Sequence, residues 1–400
     1  MISGFPLTVS DDRFGAWVCG DRQVMAGRPD TLSGLPIGVK DVIATSDYPT
    51  RCGTDLPQAV IQALLEKDEA DCVSDLKQAG AIVAGKTVTA ELATYQPGNT
   101  VNPLSVAHSP GGSSSGSAAA VAAGDVRLAL ATQTAGSTIR PASFCGVYGF
   151  KPSFGRYDLT GVLATSPTLD TLGLIANELD LIQAADRALT ARASLSEETE
   201  APLPRRLVLY RTSNWAVLPA EHQEQIEKLA QRLATGFAEY REQDALPDLE
   251  ALTGHQRTVH AGELASELGW LVTQHGELLS DTFKGFVTEG RGYAGSVLDA
   301  AIRAIQIARD RANEYVRPDE VWLTPSVTSV APPIETGTGD PLFCRQWTAL
   351  GVPCLTLPLL SESATDLPYG PQLIASQGAD RRILEAGRAI MKLVGDGGDR

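Results

Sequence analysis

His108–Arg156 reads HSPGGSSSGSAAAVAAGDVRLALATQTAGSTIRPASFCGVYGFKPSFGR, two clusters of small residues separated by one short helix and one short strand. Gly111–Ser117 is a Gly/Ser loop, and Ser115 or Ser117 is placed to cap a helix over Ala118–Ala123 that Gly124 ends. Leu128–Thr132 (LALAT) then reads as a strand, and the second cluster, Thr134–Ser137 (TAGS), follows it directly. A buried strand fed by a helix predicts an α/β fold, with the two loops meeting at one edge of the sheet.

Outward from this stretch the same pattern continues. Leu35–Lys40 (LPIGVK) and Ala81–Ala84 (AIVA) read as strands, and Ala59–Gly80 reads as one helix, with Val60, Leu64, Leu65, Cys72, Val73 and Leu76 as its apolar positions. Downstream, Leu207–Tyr210, Val321–Thr324, Cys354–Leu357 and Gln372–Ala375 read as strands, and Glu221–Tyr240, Ala294–Tyr315 and Arg381–Val394 as helices. Arg192–Pro204 (RASLSEETEAPLP) is polar, acidic and Pro-containing, which marks a surface connection without requiring a domain boundary.

The 400 residues are 43% hydrophobic and 20% charged, enough to bury a sizeable interior and too apolar for a disordered chain. A net charge of −15 argues against nucleic acid or an anionic membrane surface as partner and points to a small molecule. Cys19, Cys52, Cys72, Cys145, Cys344 and Cys354 are scattered without CxxC or Cys/His ligand spacing, so no metal site and no disulfide scaffold is expected. The start shows no basic segment leading into an apolar one, and no apolar run reaches eighteen residues, so the expected location is cytoplasmic.

Taken alone, a Gly/Ser loop before a helix is a turn plus a cap, or a phosphate cradle. No GK[ST] follows Gly116, and the loop does not fit GxGxxG, so neither nucleotide motif applies to it. His108, His222, His255, His260 and His275 fall in no recognisable triad order. A desolvated lysine could activate a serine instead, because burial penalises the ammonium. Lys40 ends an apolar run and suits that role, though a lysine at a strand end is more often a solvated surface residue.

The combination decides between these readings. LPIGVKD at Leu35–Asp41, GAIVAGKT at Gly80–Thr87, SPGGSSSGSAAAVAAG at Ser109–Gly124, TQTAGSTIRPASFCGVYGFKPSFGR at Thr132–Arg156 and LDTLGLI at Leu169–Ile175 resemble the amidase signature family in order and spacing. GTGDPLFCRQWTALGVPCLTLPLL resembles the family's C-terminal part. The resemblance implies a single large α/β/α domain over residues 1–400, a mixed central sheet with helices on both faces. Residues 34–176 would form its signature core, and the helix-rich part 205–320 would wall the pocket.

It further implies a Ser–cisSer–Lys triad: Ser137 as nucleophile, Ser113 as bridging serine after a cis peptide bond, and Lys40 as base. Backbone N–H groups of Thr134, Ala135, Gly136 and Ser137 would form the oxyanion hole, and no metal or cofactor would be needed. The activity implied is hydrolysis of a small-molecule amide to an acid and ammonia or an amine, through an acyl-enzyme. Arg140 follows the nucleophile as in malonamidase-like members, where its counterpart binds a substrate carboxylate; it could equally support the turn. Gln133 could orient Ser113 or a substrate amide, or make an ordinary structural bond. His108 is expected to brace the loop, Asp170 to support the site from behind, and Cys145 to be a small buried residue.

Two departures from the family pattern stand out. The turn often reads TDxGGS, whereas Gln133 and Ala135 stand here, and Ala135 fits only if its φ is negative. Only about 34 residues precede the lysine strand, so any dimer contact made by N-terminal helices would be changed; a homodimer is left open. Two alternatives share the fold: the glutaminase component of a tRNA-dependent amidotransferase, whose TDTGGSIRQPAS pattern differs, and a non-catalytic binding protein, disfavoured because Lys40, Ser113 and Ser137 are all present.

Overall fold

The computed structural model describes residues 12–21, 31–191 and 203–396. Its strands are β1 (Trp17–Gly20), β2 (Pro36–Lys40), β3 (Ile82–Thr87), β4 (Leu128–Gln133), β5 (Tyr148–Lys151), β6 (Thr171–Ala176), β7 (Arg206–Arg211), β8 (Glu239–Asp244), β9 (Glu320–Thr324), β10 (Cys354–Thr356) and β11 (Gln372–Ala375). All eleven lie in one sheet, ordered β1-β3-β2-β4-β6-β5-β10-β11-β9-β7-β8. It is mixed: β2 runs parallel to β3 and β4, and β7 parallel to β8 and β9, while the other neighbours are antiparallel.

Alternation along the strands builds cores on both faces. In β4, Leu128 and Leu130 join the largest apolar cluster, whereas Ala129 and Ala131 face a second one made with Ala118–Val121. In β7, Leu207 and Leu209 point to the first cluster, and Val208 and Tyr210 to a third that holds Trp322 and Trp347. Alanine on the face toward helix Ser115–Ala122 lets that helix lie close to the sheet. The α/β fold with helices packed on a mixed sheet is therefore as expected.

Several boundaries differ from the sequence reading. Ala59–Gly80 is two helices, Gln58–Leu65 and Asp71–Gln78, because Glu66 takes a left-handed φ of 58° that ends the first. The helix read over Glu221–Tyr240 stops at Ala234, and the charged run Glu239–Asp244 is the edge strand β8. An edge strand exposed on both faces has no apolar alternation to betray it. Ala294–Tyr315 is likewise two helices, Gly295–Asp310 and Ala312–Tyr315. The Gly/Ser loop turns helical at Ser115, so Ser115 and Ser117 lie inside the helix; Ser114 precedes it without a side-chain cap bond. Of the connection Arg192–Pro204, residues 192–202 lie outside the described residues.

What matters for the site is one edge. Parallel pairing of β2 with β4, Ile37 against Leu128 and Val39 against Leu130, brings Lys40 at the end of β2 beside Thr132 near the end of β4.

Candidate active site

Lys40 is fully buried. Its Nζ donates to Ser113 Oγ at 2.8 Å and to Thr132 Oγ1 at 2.7 Å. Burial lowers the ammonium from its ordinary 10.5 to about 7; nearby Asp170 pulls it back up and Arg140 pushes it further down. A lysine held there is largely neutral just above pH 7 and able to take a proton.

Ser113 is buried and follows a cis peptide bond from Gly112. Its carbonyl accepts from the N–H of Ala90 at 3.0 Å, and the next N–H, of Ser114, donates to the carbonyl of Ser137 at 3.3 Å. The two loops are thereby tied together. Gly111, at φ +83°, leaves no room for a side chain: a Cβ would sit 2.9 Å from Pro141 Cα.

The turn 134–137 has one-sided hydrogen bonding. Its carbonyls are all taken: Thr134 by Gln256 Nε2 at 2.9 Å, Ala135 by Thr348 Oγ1 at 2.7 Å, Gly136 by the N–H of Arg140 at 2.9 Å, and Ser137 by Ser114. The N–H groups of Thr134, Ala135, Gly136 and Ser137 have no acceptor among the described residues. Four preoriented donors without an internal partner make an anion-binding concavity. Ala135 is absent from the positive-φ residues, so alanine is accommodated here without the strain that would demand glycine. Ser137 is 9% exposed, and its Oγ makes no hydrogen bond among the described residues.

Gln133 is occupied by the protein itself. Its Oε1 accepts from the N–H groups of Thr138 and Ile139, both at 3.0 Å, and its Nε2 donates to Thr348 Oγ1 at 3.0 Å. It therefore holds the turn against the following helix, Ile139–Phe144, rather than reaching Ser113 or a ligand.

Arg140 is 2% exposed, and its Nη2 donates to the Gly112 carbonyl at 2.6 Å and to Thr338 Oγ1 at 3.4 Å. Its Nε and Nη1 are buried without partners, and among the described residues no carboxylate lies within ion-pair distance of it. Unpaired guanidinium donors this deep fit a ligand anion.

Asp170 accepts from Thr134 Oγ1, Thr165 N, Thr165 Oγ1 and Ser166 N at 2.5–2.9 Å. Burial raises its carboxyl, and these donors resist the rise. His108 Nδ1 meets Ser105 Oγ at 2.8 Å, bracing the segment before the loop, and Cys145 is buried with Sγ 3.6 Å from the Pro110 carbonyl.

Lys86, also fully buried, is a second cation at a strand end, but it donates to the Ile43 carbonyl and to Thr50 Oγ1 and lies 3.7 Å from Asp41. It touches neither serine. Ser114, in Gly112–Gly116, fits G-x-S-x-G, yet its Oγ donates into the Thr132 carbonyl at 3.3 Å, so that serine is structural. Sequence reasoning did not find Thr132, Gln256, Arg345 or Thr348. The last three lie far along the chain from the turn, in helices Pro247–Glu267 and Leu342–Leu350, with no local motif to mark them.

Buried lysine, a serine pair and a turn of free N–H groups at one edge of a mixed sheet define an amide-hydrolase type of site. Residues 20–384 match the Amidase family, and the chain belongs to it. A glutamyl-tRNA(Gln) amidotransferase subunit from Rhodopirellula baltica is 31% identical over 90% of this chain and 83% of its own length. The corresponding protein from Anaeromyxobacter dehalogenans is 37% identical, over 46% of this chain and 40% of its own length. A crystal structure described as an amidase superposes with a TM-score of 0.82 at 27% identity, covering 94% of this chain and 92% of that one. Among the described residues no helix is long and apolar enough to cross a membrane.

Proposed function

We propose that the protein hydrolyses a small-molecule amide through Lys40, Ser113 and Ser137. The observation that carries this reading is the 2.8 Å bond between fully buried Lys40 and Ser113, beside a turn whose N–H groups are all free. Neutral Lys40 takes the Ser113 hydroxyl proton as Ser113 takes that of Ser137, and Ser137 Oγ attacks the amide carbon. The relay requires a Ser137-to-Ser113 hydrogen bond in the substrate complex, and the Ser114–Ser137 backbone link supports it by holding the loops together. The oxyanion is received by the N–H groups of Thr134, Ala135, Gly136 and Ser137, each such donor being worth about 3 kcal/mol in the transition state. Ammonia or an amine leaves with the returned proton, and water then cleaves the acyl-enzyme over the same relay.

The free Nε and Nη1 of Arg140 favour a substrate with a carboxylate near its amide. We take the chain to act as a single catalytic unit, with 34–176 bearing the chemistry and 205–320 walling the pocket. The glutaminase component of a tRNA-dependent amidotransferase is the second reading, favoured by the 31% identity to a protein of that name. It predicts glutamine hydrolysis that rises when a partner protein is added.

The test is ammonia release from malonamate-like, aryl and aliphatic amides and from glutamine. Turnover by the native protein and none by a folded Ser137→Ala variant is expected. Native-rate turnover by that variant would remove Ser137 as nucleophile, and release from glutamine alone, dependent on a partner, would favour the second reading.

A further inference from the structure

We propose that Gln256 and Arg345 are positioning residues for the oxyanion turn, acting through the Thr134 carbonyl; the inference rests on the amide-hydrolase reading above. Gln256 lies mid-helix in Pro247–Glu267 and is fully buried. Its Nε2 donates to the Thr134 carbonyl at 2.9 Å, and its Oε1 accepts from Arg345 Nη1 at 2.7 Å. Chemistry fixes the orientation of this amide. A guanidinium only donates, so the Gln256 oxygen must face Arg345, leaving the NH₂ for the carbonyl.

The carbonyl of Thr134 and the N–H of Ala135 belong to one planar trans peptide and point to opposite sides. A donor anchored on the carbonyl therefore fixes the direction of the Ala135 N–H, which has no acceptor among the described residues. The charge on Arg345 polarises the amide of Gln256, and the amide in turn polarises the peptide, so the N–H becomes a stronger donor toward a developing oxyanion. One turn after Arg345 in helix Leu342–Leu350, Thr348 Oγ1 does the same for the next peptide through the Ala135 carbonyl at 2.7 Å. Two elements from the second half of the chain thus set donors that the first half carries. Neither Gln256 nor Arg345 needs to touch the substrate for this.

The discriminating variant is Gln256→Glu. A carboxylate of the same shape keeps Arg345 and turns that contact into an ion pair, but it faces the Thr134 carbonyl with an acceptor instead of a donor. Two readouts are taken on the full chain: kcat and KM on whichever amide the native protein cleaves, and the rate at which a fluorophosphonate labels Ser137. In the labelling reaction Ser137 Oγ bonds phosphorus, fluoride leaves, and the phosphoryl oxygen occupies the oxyanion position.

Gln256→Glu is expected to keep its thermal midpoint, lose at least tenfold in kcat with KM within twofold, and label at least tenfold more slowly. Arg345→Lys, which retains a cation, should lose less than Arg345→Met. Native-like kcat and labelling in Gln256→Glu would overturn the inference while leaving the catalytic serine standing. If native Ser137 is neither labelled nor active on any amide, the amide-hydrolase reading falls and takes this inference with it. Were Gln256→Glu to misfold, Gln256→Met serves in its place, removing the donor without introducing charge, and native-like labelling there counts equally against the proposal.

Discussion

Replacing Lys40 by methionine tests the buried base without any substrate. The folded protein holds this group at about 7 where an exposed lysine stands at 10.5, because burial strips the ammonium of water. Between those values the unfolded chain binds a proton that the folded chain does not, so unfolding takes up a proton and stability rises with pH through that window. The limiting slope is about 1.4 kcal/mol per pH unit, which amounts to about 3 kcal/mol between pH 7.5 and 10. Below about pH 7 both states are protonated and the contribution levels off at its least favourable value.

In Lys40→Met this dependence is absent, while all other titrating groups are shared, so the difference in unfolding free energy between the two proteins isolates Lys40. The lost bonds to Ser113 and Thr132 add an offset that does not titrate. Urea unfolding followed by tryptophan fluorescence at several pH values from 7.5 to 10 measures it. Native stability should climb relative to the variant by roughly 3 kcal/mol over this range. A difference constant to within about 0.5 kcal/mol would mean that folding does not lower this lysine, and the neutral-base argument would fail.

Two further outcomes are expected besides those for Ser137 and Gln256. The kcat/KM for amide cleavage should fall about tenfold per pH unit below about pH 7, since only neutral Lys40 accepts a proton; a flat profile from pH 5 to 8 would contradict this. Arg140→Met should raise KM for carboxylate-bearing amides far more than for neutral ones, and should move the acid limb upward by removing a nearby positive charge. Equal losses on both substrate types would assign Arg140 to support of the Gly112 carbonyl alone.

The buried strands of the signature core were legible because burial on both faces leaves runs such as LALAT and QLIA with few or no charged residues. Helix ends at Glu66 and Arg311, and the edge strand Glu239–Asp244, were not, since nothing in their local composition opposes continued helix. Gln133 shows the limit at the site itself. Its position beside the turn was plain, but whether its amide served a ligand or the backbone depended on Thr348, which lies 215 residues away.

By itself, then, the sequence determined the α/β class, the family and the three residues offered as catalytic, because Gly/Ser turns and apolar strand runs are local patterns with fixed spacing. Only the tertiary structure decided which buried lysine meets a serine. Lys40 and Lys86 both end apolar runs, and it is the parallel pairing of β2 with β4 that sets Lys40 against Ser113 and Thr132 while Lys86 turns to Asp41 and Thr50. The free guanidinium donors of Arg140 and the anchoring of the turn by Gln256 are of the same kind. They depend on what distant elements leave unpaired or supply, and that follows from packing rather than from spacing along the chain.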